Sequence, residues 1–209
     1  MRRALPLLLL AALGCASPGA RDTGWIDLLP DASLKGWRRV PIKPLAAKAV
    51  WTVSPEGHLV VDGVDATEML LCERPLGDGT LRVEWRYRRN DDPKYVYNGG
   101  VYVRTALDGK TWVQAQVAHG GKPPVCGDLI AMLPGATQRT DMLQHGPSPA
   151  RPPGEWNTYD IACRGRTIAV AVNGRPTVTW NDCPLPSGAV GLQAEFAVYE
   201  VRAFRFRPD

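Results

Sequence analysis

Hydrophobic and polar residues alternate along several short stretches of the chain, and no stretch shows a sustained helical period. The clearest alternations run through Leu81–Tyr87, Val101–Arg104 and Trp112–Val117. Successive side chains of a β-strand point to opposite faces, so this pattern predicts strands with one buried face. Two more β-prone runs meet at Asn173 and Gly174, a dipeptide that favours a tight hairpin turn.

Glycine and proline are numerous, with 21 of the first and 19 of the second spread along 209 residues. Turn-forming residues at this spacing, without intervening helices, predict an all-β fold, a jelly-roll sandwich of two antiparallel sheets. The stretch from residue 120 to 153 is rich in both residues and lacks alternation. We expect it to be a long excursion over one edge of the sandwich.

The last predicted strand changes phase along its length. Tyr199 and Val201 share one face, whereas Phe204 and Phe206 fall on the other. One extra residue in the strand would account for this change, so a β-bulge is predicted near Arg202.

The N-terminal residues have the pattern of an export signal. Arg2 and Arg3 precede an apolar run shorter than the roughly 20 residues that span a bilayer, and the residues leading to Cys15 resemble a bacterial lipobox. We expect a signal peptide over residues 1–14, a lipidated Cys15 and tether over residues 15–24, and one domain over residues 25–209. The protein would then be exported to the bacterial cell envelope and held there by a lipid anchor, facing the periplasm or the outside. The alternative is an ordinary secretory signal with a chance cysteine.

The charge balance gives no sign of a nucleic-acid partner. The formal net charge is +4, and removal of residues 1–14 would lower it to +2 because Arg2 and Arg3 are lost. The longest basic cluster, over residues 86–89, fits a solvated strand end.

Four cysteines follow the export signal, and an oxidising compartment favours disulfides. Four cysteines allow three connectivities. We favour Cys163–Cys183, because a compact hairpin separates these residues, and this leaves Cys72–Cys126. The chain has no Cys-x-x-Cys pair, so no zinc site is expected.

One face of the predicted strands carries an unusual set of polar and aromatic side chains. Opposite the apolar residues lie Glu84, Tyr102, Arg104, Trp112, Gln114, Gln116, Gln193 and Glu195. Planar amides and carboxylates bind sugar hydroxyls, and aromatic rings pack against the C–H side of a sugar ring. If these strands share a sheet, the face predicts a carbohydrate site. The alternative is the ordinary solvated face of an antiparallel sheet.

Short segments of recognisable sequence follow one another from about residue 25 to 207. They include Gly79–Arg86, Asn98–Arg104, Val113–Val117, Gly154–Asn157 and Gly188–Gln193. Together this ordered set resembles the 3-keto-disaccharide hydrolase domain family, also described as 3-keto-glucoside lyase and hydratase domains. The resemblance implies a concanavalin A-like jelly roll, and cleavage of glycosides whose C3 hydroxyl has been oxidised to a ketone.

The chemistry that this resemblance implies assigns roles to charged residues. A C3 ketone acidifies the C2 proton, a base removes that proton, and the resulting enolate expels the C1 oxygen; water can later add back. Glu84 and Glu195 are the acid/base candidates, and Arg104 is the candidate that polarises the ketone or enolate oxygen. For each glutamate the alternative is a surface ion pair with Arg82, Arg86 or Arg104.

The other residues of the face are candidates for holding substrate: Asn98, Tyr102, Trp112, Gln114, Gln116 and Gln193, with His119 at the rim. The family commonly has Glu where Gln114 stands, and many members have His-Gly or Glu-Gly where Glu195-Phe196 stands. A non-catalytic carbohydrate-binding lipoprotein on the same fold is therefore the alternative function.

No cofactor or metal is expected from the sequence. Asp128 and Asp141, in the long excursion, are the candidate carboxylates should calcium bind.

Overall fold

A computed structural model of the protein describes residues 24–120, 125–142 and 147–209. Within these ranges the chain forms fifteen β-strands and no helix, which confirms the predicted all-β class. The same ranges contain no helical segment with the length and apolarity of a membrane span. The predicted signal peptide, Cys15 and most of the tether lie outside the described residues, so export and lipidation stay predictions.

The strands of the described residues are β1 (Ile26–Asp27), β2 (Trp37–Pro41), β3 (Trp51–Val53), β4 (Leu59–Asp62), β5 (Thr67–Cys72), β6 (Gly79–Tyr87), β7 (Tyr97–Thr105), β8 (Trp112–His119), β9 (Leu129–Met132), β10 (Thr140–Met142), β11 (Asn157–Arg164), β12 (Thr167–Val172), β13 (Arg175–Trp180), β14 (Ala189–Glu195) and β15 (Val198–Pro208).

These strands form two antiparallel sheets packed face to face. The first sheet has the order β13-β12-β11-β6-β15-β4-β3, with β1 paired to β15. The second has the order β10-β9-β8-β7-β14-β5-β2. The predicted excursion is thus partly regular, because β9 and β10 arise from it and widen the second sheet.

Alternating burial along the strands builds the core between the two sheets. Along β6 every second residue from Gly79 to Tyr87 is buried and the residues between are half-buried. Val83 and Trp85 of this strand join Val101 and Leu192 of the second sheet in one hydrophobic cluster. The predicted core face of β6 is therefore correct.

Three buried tyrosines of the first sheet reach across the core to the backbone of the second. The Tyr87 hydroxyl donates to the Val117 carbonyl (3.0 Å). The Tyr159 hydroxyl donates to the Gln116 carbonyl (2.6 Å), and that of Tyr199 to the Gln193 carbonyl (2.7 Å). Burial raises the pKa of all three hydroxyls, so they stay protonated donors at neutral pH.

Two local predictions are confirmed. Asn173 and Gly174 turn between β12 and β13 with φ values of 51° and 77°, the left-handed conformations that a tight hairpin turn requires. The pairing of β15 with β6 shifts register between Val201 and Ala203, so Arg202 is the extra residue of a β-bulge.

Both predicted disulfides are wrong, because the structure gives Cys72, Cys126, Cys163 and Cys183 as buried free thiols. Cys72 ends β5, whereas Cys126 lies beside β8, and β14 and β7 stand between those strands. Neighbouring strands are about 4.8 Å apart. Three such spacings exceed the Cα separation of at most about 7 Å that a disulfide tolerates.

Cys163 and Cys183 are neighbours in the structure without a shared bond, since Cys183 contributes to the raised pKa of Cys163. The Cys183 sulfur donates to the Leu185 carbonyl at 3.7 Å. Burial raises the pKa of the Cys163 thiol to about 11, so it stays protonated and unreactive at neutral pH.

Replacing Tyr199 by Phe is expected to lower the free energy of unfolding by about 1–3 kcal/mol, because it removes a buried donor from the Gln193 carbonyl. Urea denaturation measures the change. Tyr97→Phe is the matched control, since the Tyr97 hydroxyl makes an exposed contact with the Asn90 backbone that water can replace. Equal losses in the two variants would contradict the cross-sheet role of Tyr199.

Candidate functional site

A cavity of about 610 Å³ lies on the face of the second sheet that points away from the core. Its floor comes from β2, β5, β7, β8, β9 and β14, and the loop after β7 and residues 137–139 contribute to its walls. The lining residues predicted from the sequence are Asn98, Tyr102, Trp112, Gln114, Gln116, Gln193 and Glu195. The structure therefore brings seven of the predicted site residues together.

Two consecutive glycines of β7 make room for the site. A Cβ atom on Gly100 would lie 2.3 Å from the Gln114 carboxamide, so that amide lies directly over the glycine. On the core side, a Cβ atom on Gly99 would lie 3.1 Å from the Tyr199 ring. One glycine thus admits the site amide, and the other admits the tyrosine that supports β14.

The amides form a hydrogen-bond ladder that ends on a carboxylate. The Gln114 amide nitrogen donates to Gln193 Oε1 (3.1 Å) and to Gln116 Oε1 (2.8 Å). The Gln116 amide nitrogen donates to Asn98 Oδ1. The Asn98 amide nitrogen in turn donates to Glu195 Oε2 (2.5 Å). From Gln114 to Glu195 every amide donates in the same direction, and an ionised carboxylate, which only accepts, completes the series.

The environment of Glu195 makes its carboxylate more basic than usual. Burial raises the pKa of Glu195, whereas the positive charge of Lys43 and the hydrogen bond from Asn98 oppose the rise. The Asn98 bond engages Oε2, which leaves Oε1 for a proton from a bound molecule. The arrangement suits a general base.

The backbone around Glu195 is fixed by close packing. A Cβ atom on Gly63 would lie 2.4 Å from the Glu195 nitrogen, so the loop after β4 packs directly against this residue. The next residue, Phe196, has a φ of 60° and turns the chain from β14 towards β15. Both features fix the backbone at the end of β14 that carries the Glu195 side chain.

The predicted position of Glu84 on the same face as Glu195 is wrong. Its strand, β6, belongs to the first sheet, and its side chain points to the outer surface of that sheet. Glu84 Oε2 accepts from Arg202 Nε at 2.7 Å, and Arg202 stacks on the Trp156 ring at 4.3 Å. Alternation identifies the face of a strand but not the sheet that the strand joins. Glu84 forms an ion pair on the opposite side of the sandwich from the cavity.

Arg104 is also placed away from the cavity, because β7 is irregular at this point. The pairing of β7 with β14 shifts register between Ala189 and Gly191, and Arg104 has a φ of 48°. This bulge breaks the alternation that would have put Arg104 on the same face as Tyr102.

The buried Arg104 side chain joins three loops instead. Its Nη1 donates to the carbonyls of Gly165 (2.7 Å) and Leu185 (2.8 Å), and its Nη2 pairs with Asp78 (3.0 Å). The predicted contact of Arg104 with a ketone or enolate oxygen in this cavity is therefore wrong.

Among the ring-bearing residues of the predicted site, Tyr102 and Trp112 line the cavity, whereas His119 does not. Tyr102 is buried, and Trp112 packs against its ring with centroids 6.0 Å apart. His119 lies on the same side of β8 as Val117, is exposed, and packs on the Tyr97 ring (5.7 Å). His119 thus faces away from the cavity.

Several lining residues were not predicted from the sequence. Thr67 and Met69 come from β5, and Ile130 and Met132 come from β9. The alternation of Leu129–Met132 was a signal for β9, but the surrounding glycines and prolines masked it. Lys43 carries no motif, and only the fold brings its charge near Glu195.

The described residues contain no group of three or more His, Cys, Asp or Glu side chains that could hold a metal ion. Asp141 pairs with Arg139 at 2.8 Å, and the buried Asp128 lines a small side cavity with it.

Comparison with protein families matches residues 24–207 to the 3-keto-alpha-glucoside-1,2-lyase-like domain. No curated protein sequence matches the chain.

Solved structures share the fold at low sequence identity. A Parabacteroides distasonis protein, provisionally named a glycosyl hydrolase, has 20% identity and a TM-score of 0.63 over 88% of this chain and 99% of that one. A carbohydrate-binding module from Bacillus subtilis has 16% identity and a TM-score of 0.61 over 81% and 93%. The β-glucanase of Bacillus licheniformis has 11% identity and a TM-score of 0.57 over 84% and 94%. The predicted jelly-roll fold is confirmed, and it is a fold that carbohydrate-active proteins use.

Replacing Lys43 by Gln is expected to raise the pKa of Glu195 further, because the nearby ammonium stabilises the ionised carboxylate. Carbon-13 NMR titration of the glutamate carboxyls measures the shift. Lys48→Gln is the control, since Lys48 is in the same connection but pairs with Asp62 at 2.6 Å. An unchanged or lowered pKa in the Lys43 variant would refute this electrostatic account.

Proposed function

The chain belongs to the family of 3-keto-alpha-glucoside-1,2-lyase-like domains, and we propose that it cleaves 3-keto-glycosides in the cavity of the second sheet. In this proposal Glu195 is the base that removes the C2 proton. The observation that carries the proposal is the amide ladder, because it ends on one partly desolvated carboxylate and keeps that carboxylate oriented.

The reaction begins with proton transfer to Glu195. The carboxylate takes the proton from C2, and the C–H electron pair forms the C2–C3 double bond of an enolate whose negative charge lies on the C3 oxygen. Collapse of the enolate restores the ketone, forms the C1–C2 double bond and expels the C1 oxygen with its electron pair. The leaving oxygen takes a proton from water, and the Glu195 carboxyl returns its proton to the hydroxide so formed, which restores the ionised base. Addition of water across the new double bond would complete a net hydrolysis.

The remaining groups of the ladder bind and orient the sugar. Gln193 accepts from Gln114 through its oxygen, so its amide nitrogen is the donor for a sugar hydroxyl or for the enolate oxygen. Lys43 lies near Glu195, and its positive charge stabilises the ionised carboxylate that must be present before proton transfer.

A binding function is the second candidate, and the amide at position 114 favours it. Gln114 cannot act as an acid or base. Among the described residues that line the cavity, Glu195 is the carboxylate on the ladder, and the other, Asp108, is an exposed residue of the β7–β8 loop. A pair of carboxylates, as in ordinary glycosidases, is therefore not present on the ladder. Elimination next to a ketone needs only one base, and for this reason we favour the lyase chemistry over simple binding.

Glu195→Gln is expected to lower kcat/KM for a 3-keto-α-glucoside by about 10²–10⁴-fold, the usual contribution of a general base. Release of the leaving group measures the rate. Glu84→Gln is the matched control and should retain the wild-type rate, because Glu84 lies on the other sheet.

The pH dependence supplies a second readout of the same prediction. The base must be ionised to act, so kcat/KM of the wild-type protein should fall as the pH drops through the pKa of Glu195. Because that pKa is raised, the midpoint of the fall should lie above the ordinary glutamate value of 4.5. Sugar binding without turnover in the wild-type protein would favour the binding function, and full activity in Glu195→Gln would remove Glu195 from the mechanism.

A further inference from the structure

The cavity continues beyond the amide ladder onto an apolar part of the same face. Trp112 of β8 pairs with Met132 of β9, and Gln114 pairs with Ile130. Paired residues of neighbouring strands share a face, so Ile130, Met132 and Trp112 point to the same side as Gln114. All three line the cavity and are half-buried.

We propose that this apolar end, formed by Ile130, Met132 and Trp112, is the subsite for the leaving group, and that it takes an apolar aglycone carrying an aromatic ring. The inference rests on the proposed function, because Glu195 marks where C2 of the keto sugar must lie. It adds the chemical class of the group attached to C1.

The dimensions of the cavity support two adjoining subsites. Gln116 and Trp112 lie four residues apart on β8, which is about 13 Å along a strand. A sugar ring held by the Glu195 end of the ladder therefore leaves the Trp112 end free for its substituent. The volume of about 610 Å³ is in the range of about 300–1,000 Å³ for sites that bury drug-sized ligands.

The side chains at this end favour a ring over a second sugar. The hydroxyls of a second sugar need hydrogen-bonding partners when they are buried, and Ile130 and Met132 on the floor of this end provide none. The polar lining residues nearby, among them Asp108, Lys110 and Arg139, are exposed loop residues at the wall rather than on the floor. Methionine adapts to the shape of an apolar ligand and packs well against aromatic rings. The Tyr102 ring contacts the Trp112 indole edge to face (75° between planes), which fixes the orientation of the indole.

The β7–β8 loop forms the other side of the cavity. A Cβ atom on Gly109 would lie 2.8 Å from Val40 Cγ1 and 3.3 Å from Met69 Sδ, so the β7–β8 loop folds tightly over β2 and β5. Val40 and Met69 also line the cavity, and the apolar character therefore extends across the sheet.

The test compares benzyl, methyl and glucosyl 3-keto-α-glucosides, using kcat/KM for turnover and calorimetric Kd for binding. The methyl and benzyl compounds have leaving alcohols of similar acidity, so their difference reports the subsite. We expect the benzyl compound to be preferred over the methyl compound by about tenfold or more, a discrimination usual for an apolar pocket. Met132→Asn should reduce this ratio towards one.

Val96→Ser is the control, because Val96 is exposed and lies outside the cavity lining, and the benzyl-to-methyl ratio should be unchanged. Turnover of all compounds without a benzyl preference, or a preference for the glucosyl compound that Met132→Asn leaves intact, would overturn the inference. Tighter benzyl binding without any turnover, lost in Met132→Asn, would support the subsite while refuting the lyase function.

Discussion

The site depends on hydrogen bonds that come from the opposite sheet. The hydroxyls of Tyr159 and Tyr199 bind the carbonyls of Gln116 and Gln193, the residues whose side chains lie on either side of Gly100. A buried hydroxyl is costly without a partner, and so is a buried carbonyl, so each of these bonds satisfies two groups at once. The backbone beneath the ladder is thereby held from the core side, and the side chains above it can form an ordered array.

Glu84 and Glu195 both lie in alternating strand patterns, but their surroundings give the two carboxylates different roles. Glu84 lies among arginines on the outer surface of the first sheet, where an ion pair with Arg202 satisfies it. Glu195 lies at the end of the amide ladder, where burial raises its pKa and one amide hydrogen bond orients it. The first arrangement stabilises a solvated surface, and the second maintains a base that can take a proton from carbon.

Much of the fold could be predicted from the sequence because its signals are local. Alternation identified the core face of β6, and the phase change identified the bulge at Arg202. Strand pairing joins residues that are far apart in the chain. The alternation within β6 therefore could not show that this strand belongs to the first sheet. The bulge at Arg104 interrupts a regular alternation without a glycine or proline to mark it, and therefore the predicted direction of that side chain was wrong. The Cys72–Cys126 pairing failed for the same reason, since a pairing reached by elimination does not report the distance between two strands across a sheet.

Exchange of the C2 proton tests the central claim most directly. A 3-keto-α-glucoside is incubated with the protein in D₂O, and the C2–H signal of the unreacted substrate and the products is followed by proton NMR. If Glu195 removes this proton, the wild-type protein should catalyse deuterium incorporation at C2, or should release the leaving group from a C2-deuterated substrate more slowly than from the C2–H compound, and Glu195→Gln should do neither. Cleavage without involvement of the C2 proton, or equal exchange in the Glu195→Gln variant, would contradict the account.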